Sequence, residues 1–148
     1  LEGLRMSEQI ELDGQCMCGA VTVTATTSSP DLRACHCEMC RQQNSFAFVS
    51  LQADQDSIVI TGPVTVFRSS DWAQRAFCGS CGSTIWYGMQ HDEHRNLSAG
   101  LFGKTADTLV QEYFVDECIL GAGFDGSHQK LTRQETFALY APATGDAK

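Results

Sequence analysis

The sequence predicts a mainly β fold of short antiparallel strands held together by bound metal ions. Two observations lead to this prediction. Short runs of β-branched and aromatic residues end at polar, turn-forming residues, which is typical of strands in an antiparallel arrangement. In addition, seven of the eight cysteines fall into three tight groups, which suits metal coordination. A chain of 148 residues is long enough to bury a core, so metal need not supply all of the folding energy.

The predicted strands follow one another along most of the chain. In residues 20–25, valine alternates with threonine, which indicates a strand that is buried on one face. Residues 57–61 and 64–67 are predicted strands joined by a turn at Gly62 and Pro63. The other predicted strands are residues 46–51, 84–87, 96–101 and 111–116. Helical signal is weak and predicts only short turns at residues 38–43 and 104–109, and the glycines of residues 121–126 predict a flexible loop.

The domain organisation is predicted to be simple. We expect one domain over residues 12–140, an N-terminal extension over residues 1–11 whose first part precedes a natural start at Met6, and a flexible tail over residues 141–148. The first residues lack the apolar segment of a secretory signal, and no stretch approaches the roughly 18 apolar residues of a membrane helix. These features predict a cytoplasmic protein that does not act at a membrane.

The charge of the chain argues against binding to nucleic acid. The formal net charge is −8, and the ten lysines and arginines form no basic run. Such a surface repels phosphate backbones. Arg33, Arg41 and Arg75 nevertheless lie near cysteine groups in the sequence, where they would attract a small anionic molecule.

The spacing of the cysteines predicts two different metal sites. The groups are Cys16-x-Cys18, Cys35-x-Cys37-x-x-Cys40 and Cys78-x-x-Cys81. The two separate pairs can close one tetrahedron around an ion such as zinc, and the local triplet leaves a second tetrahedron with an open position. A closed site with four cysteines is typical of a structural role, whereas an open site is typical of catalysis or substrate binding. A disulfide framework and, for Cys78 and Cys81, a redox pair are the alternatives, but the chain shows neither an exported context nor a thioredoxin-like βαβ pattern.

The triplet is the segment that best predicts chemistry. Its open position would accept water or an incoming thiol, and a cation favours the ionised form of a bound thiol. His36 lies between two of the cysteines and would serve as a ligand, as a proton carrier or as an exposed spacer. Arg41 follows the triplet, and its guanidinium could bind a substrate carboxylate in a bidentate way or form a surface salt bridge.

Three sequence segments resemble the signatures of the glutathione-dependent formaldehyde-activating enzyme family, also called the Gfa or CENP-V/GFA domain family. They are residues 14–21, 35–41 and 75–83, and the resemblance spans residues 12–116. It implies an Mss4-like, mainly β fold and two Zn²⁺ ions per chain. It further implies a structural zinc on Cys16, Cys18, Cys78 and Cys81, and a catalytic zinc on Cys35, Cys37 and Cys40. The implied activity is that of a carbon–sulfur lyase, which adds glutathione to formaldehyde to give S-hydroxymethylglutathione.

Two functions of different classes follow from these observations. The first is a zinc lyase that acts on a thiol and a small aldehyde at the open triplet. The second is a non-catalytic zinc module that binds another protein, in which His36, Cys118 or His91 would complete the triplet as a fourth ligand. For Cys118 a buried core thiol is the more natural interpretation, and His91 and His94 fit a solvated loop. The number of ligands at the triplet distinguishes the two functions.

Overall fold

The computed structural model describes residues 8–106 and 108–140, and within these residues the fold is mainly β, as predicted. The strands are β1 (Ile10–Gln15), β2 (Thr22–Thr27), β3 (Asp31–Cys35), β4 (Phe48–Leu51), β5 (Val59–Thr61), β6 (Val64–Arg68), β7 (Ala73–Cys78), β8 (Thr84–Met89), β9 (Arg95–Ser98), β10 (Thr108–Tyr113) and β11 (Gln129–Lys130). The helices are α1 (Glu38–Asn44) and α2 (Arg133–Tyr140), and single 3₁₀ turns cover Gln55–Ser57, Ala99–Phe102 and Val115–Glu117. None of the helices described is long and apolar enough to cross a lipid bilayer.

Each of the seven predicted strands overlaps an observed one, and the predicted turn at residues 38–43 is the helix α1. The turn predicted at residues 104–109 is wrong in its second half, because β10 begins at Thr108. The pattern failed to predict β1, β3, β7, β11 and α2. β1 begins at Ile10, inside the expected N-terminal extension, and the expected tail lies outside the described residues.

The strands form two sheets. β1, β2 and β5 make a three-stranded antiparallel sheet, and the other eight strands follow the order β11-β10-β3-β4-β9-β8-β7-β6. The pairs that β10 makes with β3 and with β11 are parallel, unlike the antiparallel pairing expected from the sequence. In this register Glu112 lies beside Ala34, and Tyr113 lies beside Cys35. A strand late in the chain therefore supports the segment that contains the cysteine triplet.

The alternation of β2 explains how the hydrophobic core is built. Val23 and Ala25 are buried while Thr22 and Thr24 are exposed, as the period of a half-buried strand requires. Cys16 and Cys78 also belong to the core cluster, so one predicted metal site adjoins the main core. Burial of such apolar surface contributes roughly 25 cal/mol per Å² to folding.

Helix α1 brings the triplet segment towards β7. The sheet order places β7 four strands from β3, but Cys40 lies on α1, outside the sheet. The end of α1 reaches β8, because the Oγ1 of Thr84 donates to the Oδ1 of Asn44 at 3.0 Å. From β7, the neighbour of β8, Arg75 donates to the Sγ of Cys40. The helix therefore links the second cysteine motif to the strand that leads into the third.

Candidate functional site

The four cysteines of the two separate pairs meet at one point, as the spacing predicted. The Sγ atoms of Cys16, Cys18, Cys78 and Cys81 all lie within 4.8 Å of one another. The distance between the Sγ atoms of Cys16 and Cys18 is 3.6 Å, and that between Cys18 and Cys78 is 3.9 Å. A zinc tetrahedron with Zn–S bonds of about 2.3 Å has sulfurs roughly 3.8 Å apart. Both of these distances are close to that separation, so the cluster is suited to bind a zinc ion.

Neutral donors surround this four-cysteine cluster. The Cys16 Sγ accepts the backbone N–H of Val21 at 3.3 Å, and the Cys78 Sγ accepts those of Ser80 at 3.3 Å and Cys81 at 3.4 Å. The side chain of Ser83 lies 3.1 Å from the Cys81 Sγ, and this hydrogen bond, with the Ser83 backbone N–H, lowers the pKa of Cys81 to about 5. Hydrogen bonds of this kind orient and stabilise thiolate ligands.

The triplet forms a second cluster. The Sγ atoms of Cys35, Cys37 and Cys40 lie within 4.8 Å of one another, and no fourth histidine, cysteine or carboxylate among residues 8–106 and 108–140 joins them. Hydrogen bonds from Cys35 and Cys40 lower the pKa of Cys37 to about 2, and the same contacts raise the pKa of Cys35 well above its usual value. Cys37 is thus the sulfur that accepts hydrogen bonds from the other two thiols. Three sulfurs that converge in this way are suited to bind one Zn²⁺ from one side.

The junction between β3 and α1 positions the triplet. Cys35 is the last residue of β3, Cys37 is the N-cap of α1, and Cys40 lies in the first turn of the helix. The backbone N–H of His36 donates to the carbonyl of Tyr113 at 3.0 Å, so β10 fixes the connection. Cys40 is buried, whereas Cys35 and Cys37 are half-buried. The cluster is therefore anchored on one side and partly accessible on the other.

His36 is an internal anchor for this loop. Its side chain is fully buried, and Nε2 lies 2.5 Å from the Oε2 of Glu112. The ring packs against the rings of Phe46 and Phe124, with centroid distances of 5.5 and 5.8 Å. His36 belongs to neither cysteine cluster, so its predicted role as a ligand is not supported, and burial rules out the exposed spacer.

Glu112 is a buried carboxylate that three donors satisfy. Besides His36, it contacts the Nε2 of His128 at 2.6 Å and accepts the backbone N–H of Phe124 at 2.9 Å. Burial alone would raise the pKa of Glu112, but the hydrogen bonds from His128, His36 and Phe124 outweigh it and keep that pKa below its ordinary value. Gly123 has no space for a Cβ, because Glu112 fills that position. Glu112 therefore connects the predicted loop at residues 121–126 with His36, which lies between two cysteines of the triplet.

We expect Glu112→Gln to lower the free energy of unfolding of the zinc-loaded protein by about 3 kcal/mol. A glutamine amide presents a donor of its own towards one of two buried histidine N–H groups, which then lacks an acceptor. Urea unfolding at pH 7 measures the change. Glu117→Gln is the matched control, since Glu117 accepts a partly exposed hydrogen bond from Arg133 at 3.0 Å, and its loss should cost less than about 1 kcal/mol. Equal effects of the two substitutions would contradict the anchoring role of Glu112.

Arg75 is a residue of the site whose role the sequence did not predict, because the sequence showed only a cation near a cysteine group. It lies on β7, it is 6% exposed, and its Nη1 and Nη2 are 3.6 and 3.7 Å from the Cys40 Sγ. Nη1 also donates to the Oε1 of Gln43 at 3.1 Å, and the guanidinium lies 4.8 Å from the centroid of the Tyr87 ring. The available signal was the position of Arg75, three residues before Cys78 in the third motif.

The other predicted candidates lie as follows. Arg41 donates its Nε–H to the carbonyl of His36 at 3.0 Å, and its Nη2 lies 3.8 Å from a carboxylate oxygen of Glu117. It adjoins the triplet segment, and its binding of a substrate carboxylate stays a prediction. Cys118 is buried outside both clusters, and the side chain of His91 is 68% exposed, which agrees with a core thiol and a solvated loop.

Comparisons with known proteins agree with this geometry. The family model described as "Glutathione-dependent formaldehyde-activating enzyme" matches residues 11–116. The protein named "Uncharacterized lyase C29B12.13" from Schizosaccharomyces pombe is 36% identical over 78 residues, which are 52% of this chain and 57% of that relative. The crystal structure of a Rhodobacter sphaeroides protein is similar in fold, with a TM-score of 0.54 and 19% identity over 64% of this chain and 91% of the other. The chain belongs to the glutathione-dependent formaldehyde-activating enzyme family.

Proposed function

We propose that this protein is a zinc-dependent carbon–sulfur lyase that binds a small thiol, glutathione above all, at the triplet. The observation that carries the proposal is the cluster of three sulfurs, which has no fourth protein ligand among the described residues. The family match and the name of the Schizosaccharomyces pombe relative, a lyase, support the same class of reaction. The chain spans only 57% of that relative's length, so a lyase activity of this chain is a proposal.

The proposed reaction joins a thiol to a small aldehyde such as formaldehyde. The thiol releases its proton to solvent, its sulfur forms a bond to the carbonyl carbon, and the carbon–oxygen π bond breaks. The oxygen then takes up a proton from solvent, which gives the S-hydroxymethyl thioether. The reverse reaction cleaves the same carbon–sulfur bond. A bound Zn²⁺ supplies an electrophilic centre that favours the thiolate form of the substrate.

Residues of the chain would bind the metal ions, position the triplet and bind the substrate. Cys35, Cys37 and Cys40 would hold the metal, and His36 would keep their loop in place through Glu112. Arg41 would bind a carboxylate of the thiol substrate, because its planar guanidinium matches a carboxylate bidentately. The four-cysteine cluster would hold a second zinc with a structural role.

Direct binding of the thiol can be tested with cobalt. We expect cobalt-substituted protein to show stronger thiolate-to-cobalt charge-transfer bands when millimolar glutathione is added, because a new sulfur joins the metal of the triplet. S-methylglutathione has the same tripeptide, but its methylated sulfur cannot ionise, so it should leave the bands unchanged. Unchanged bands with glutathione, with cobalt confirmed at the triplet, would contradict the proposal.

That negative result would favour the alternative, a non-catalytic zinc module that binds another protein. Catalysis is measured separately, by NMR, as the exchange of formaldehyde between its free form and its glutathione adduct. An exchange rate above that of the uncatalysed mixture supports the lyase. A rate equal to the uncatalysed one, in protein that carries both metals, would contradict it.

A further inference from the structure

The guanidinium of Arg75 is a buried charge without a carboxylate partner. In the part of the chain that the structure describes, no carboxylate lies within 4.0 Å of it, and its Nε is buried without an acceptor. Its polar contacts are the Cys40 sulfur and the neutral side chain of Gln43, with the ring of Tyr87 beside it. A buried cation is stable only when an opposite charge compensates it. The sulfurs of the triplet are the groups that can supply this charge.

The two cysteine clusters differ in this respect. The donors to the four-cysteine cluster include the side chain of Ser83 and the backbone N–H groups of Ala20, Val21, Ser80, Cys81 and Ser83, and all of them are neutral. A fixed positive charge therefore contacts only the triplet, among the residues described. The cluster that the cation contacts is also the one with three sulfurs, which needs a further ligand to complete a tetrahedron, whereas the four-cysteine cluster does not.

The charge balance of the triplet explains why a cation would be needed there. Three thiolates and one Zn²⁺ carry a net charge of −1, which opposes the approach of a fourth, anionic sulfur. An arginine remains charged at every physiological pH and brings this total to zero. Its N–H groups also donate to a sulfur, and such contacts around the ligands tune what a metal site will bind.

We propose that Arg75 is a positioning residue that makes the open position of the triplet prefer an anionic sulfur over a neutral ligand. This inference rests on the proposed function, in which a thiol binds there as its thiolate and releases its proton to solvent. A neutral ligand such as imidazole gains far less from the same charge, because it brings no charge of its own. The preference between the two ligands is thus the property that Arg75 sets.

The test compares two ligands on cobalt-substituted protein at one pH. We expect Arg75→Gln to raise the dissociation constant for glutathione about tenfold or more, and that for imidazole by less than about threefold. Arg75→Lys keeps the charge and should recover most of the affinity for glutathione. If Arg75→Gln weakens both ligands equally, or if Arg75→Lys binds glutathione no better than Arg75→Gln, the role of Arg75 is structural and the inference is wrong.

A second pair of variants leaves Arg75 and its packing in place. Gln43→Glu is nearly isosteric and places a carboxylate at the atom that now accepts from Nη1, which neutralises the guanidinium. Gln42→Glu adds the same charge on the exposed side of α1 and is the matched control. We expect Gln43→Glu to weaken glutathione binding severalfold more than Gln42→Glu does, with imidazole binding unchanged in both. Equal glutathione affinities in the two variants would overturn the inference.

The unmodified protein separates this inference from the proposed function. If it shows no thiol-dependent bands, the thiol-binding function itself fails, and the role inferred for Arg75 fails with it. If it binds glutathione and the Arg75 and Gln43 variants bind equally well, only the inference about Arg75 fails.

Discussion

Cys78→Ser is expected to remove one zinc per chain and to lower the midpoint of thermal unfolding by at least about 15 °C. Cys78 ends β7 and is 1% exposed, and its sulfur lies 3.9 Å from that of Cys18, sixty residues earlier in the chain. Binding of a structural zinc contributes about 10 kcal/mol or more, whereas the whole stability of a domain is about 5–15 kcal/mol. A serine oxygen replaces a thiolate poorly, so we expect most of the fold's stability to depend on Cys78.

The experiment for this variant combines metal analysis with thermal unfolding followed by circular dichroism. Cys118→Ser is the matched control, because Cys118 is equally a buried cysteine but lies outside both clusters. It should retain both zinc ions and lose only about 1–2 kcal/mol of stability. A Cys78→Ser protein that lost one zinc yet kept its unfolding midpoint would show that this site does not stabilise the fold.

Cys37→Ser is expected to abolish activity while the protein stays folded. The triplet covers six consecutive residues, so its metal cross-links little of the chain. The segment is also anchored without metal, by the His36 backbone on Tyr113 and by the His36 ring on Glu112. We expect zinc to fall from two ions per chain to one, the unfolding transition to stay cooperative, and the adduct exchange rate to fall to that of the uncatalysed mixture.

We thus expect Cys78→Ser to reduce mainly the stability of the protein and Cys37→Ser to reduce mainly its activity, and one set of measurements can compare the two. Metal content, unfolding midpoint and exchange rate are measured on both variants side by side. An unfolded Cys37→Ser protein, or one that retains two zinc ions, would contradict the division between a structural and a functional site. Cys35→Ser provides an independent check, since its sulfur belongs to the same cluster.

The parts of the fold that the sequence predicted are those governed by local pattern. The alternation of valine and threonine predicted β2, and the glycine–proline turn predicted the boundary between β5 and β6. β3 and β7 were missed because both contain an arginine and lack the alternation of a half-buried strand. The arginines there pair with other polar groups or with the triplet, which are tertiary contacts that no local pattern contains.

The two cysteine clusters of the candidate site were predictable from the sequence, but the residues around them were not. Cysteine spacing alone predicted both clusters, because metal geometry restricts how the ligands are spaced along the chain. The partners of the triplet could not be found in this way. Glu112 and His128 come from a strand and a loop that follow all of the clustered cysteines, and Arg75 reaches Cys40 only because α1 packs close to β8. Long-range packing of this kind is set by the whole fold.

The late position of Glu112 has a consequence for how the protein is made. Ribosomal synthesis proceeds from the N-terminus, so all seven clustered cysteines leave the ribosome before the carboxylate that holds His36, and His128 follows later still. The four-cysteine cluster has every ligand once residue 81 has emerged, whereas the triplet lacks its support until β10 pairs with β3. The nascent chain therefore has the means to bind a metal ion at the four-cysteine cluster first, and the triplet obtains its supporting contacts last.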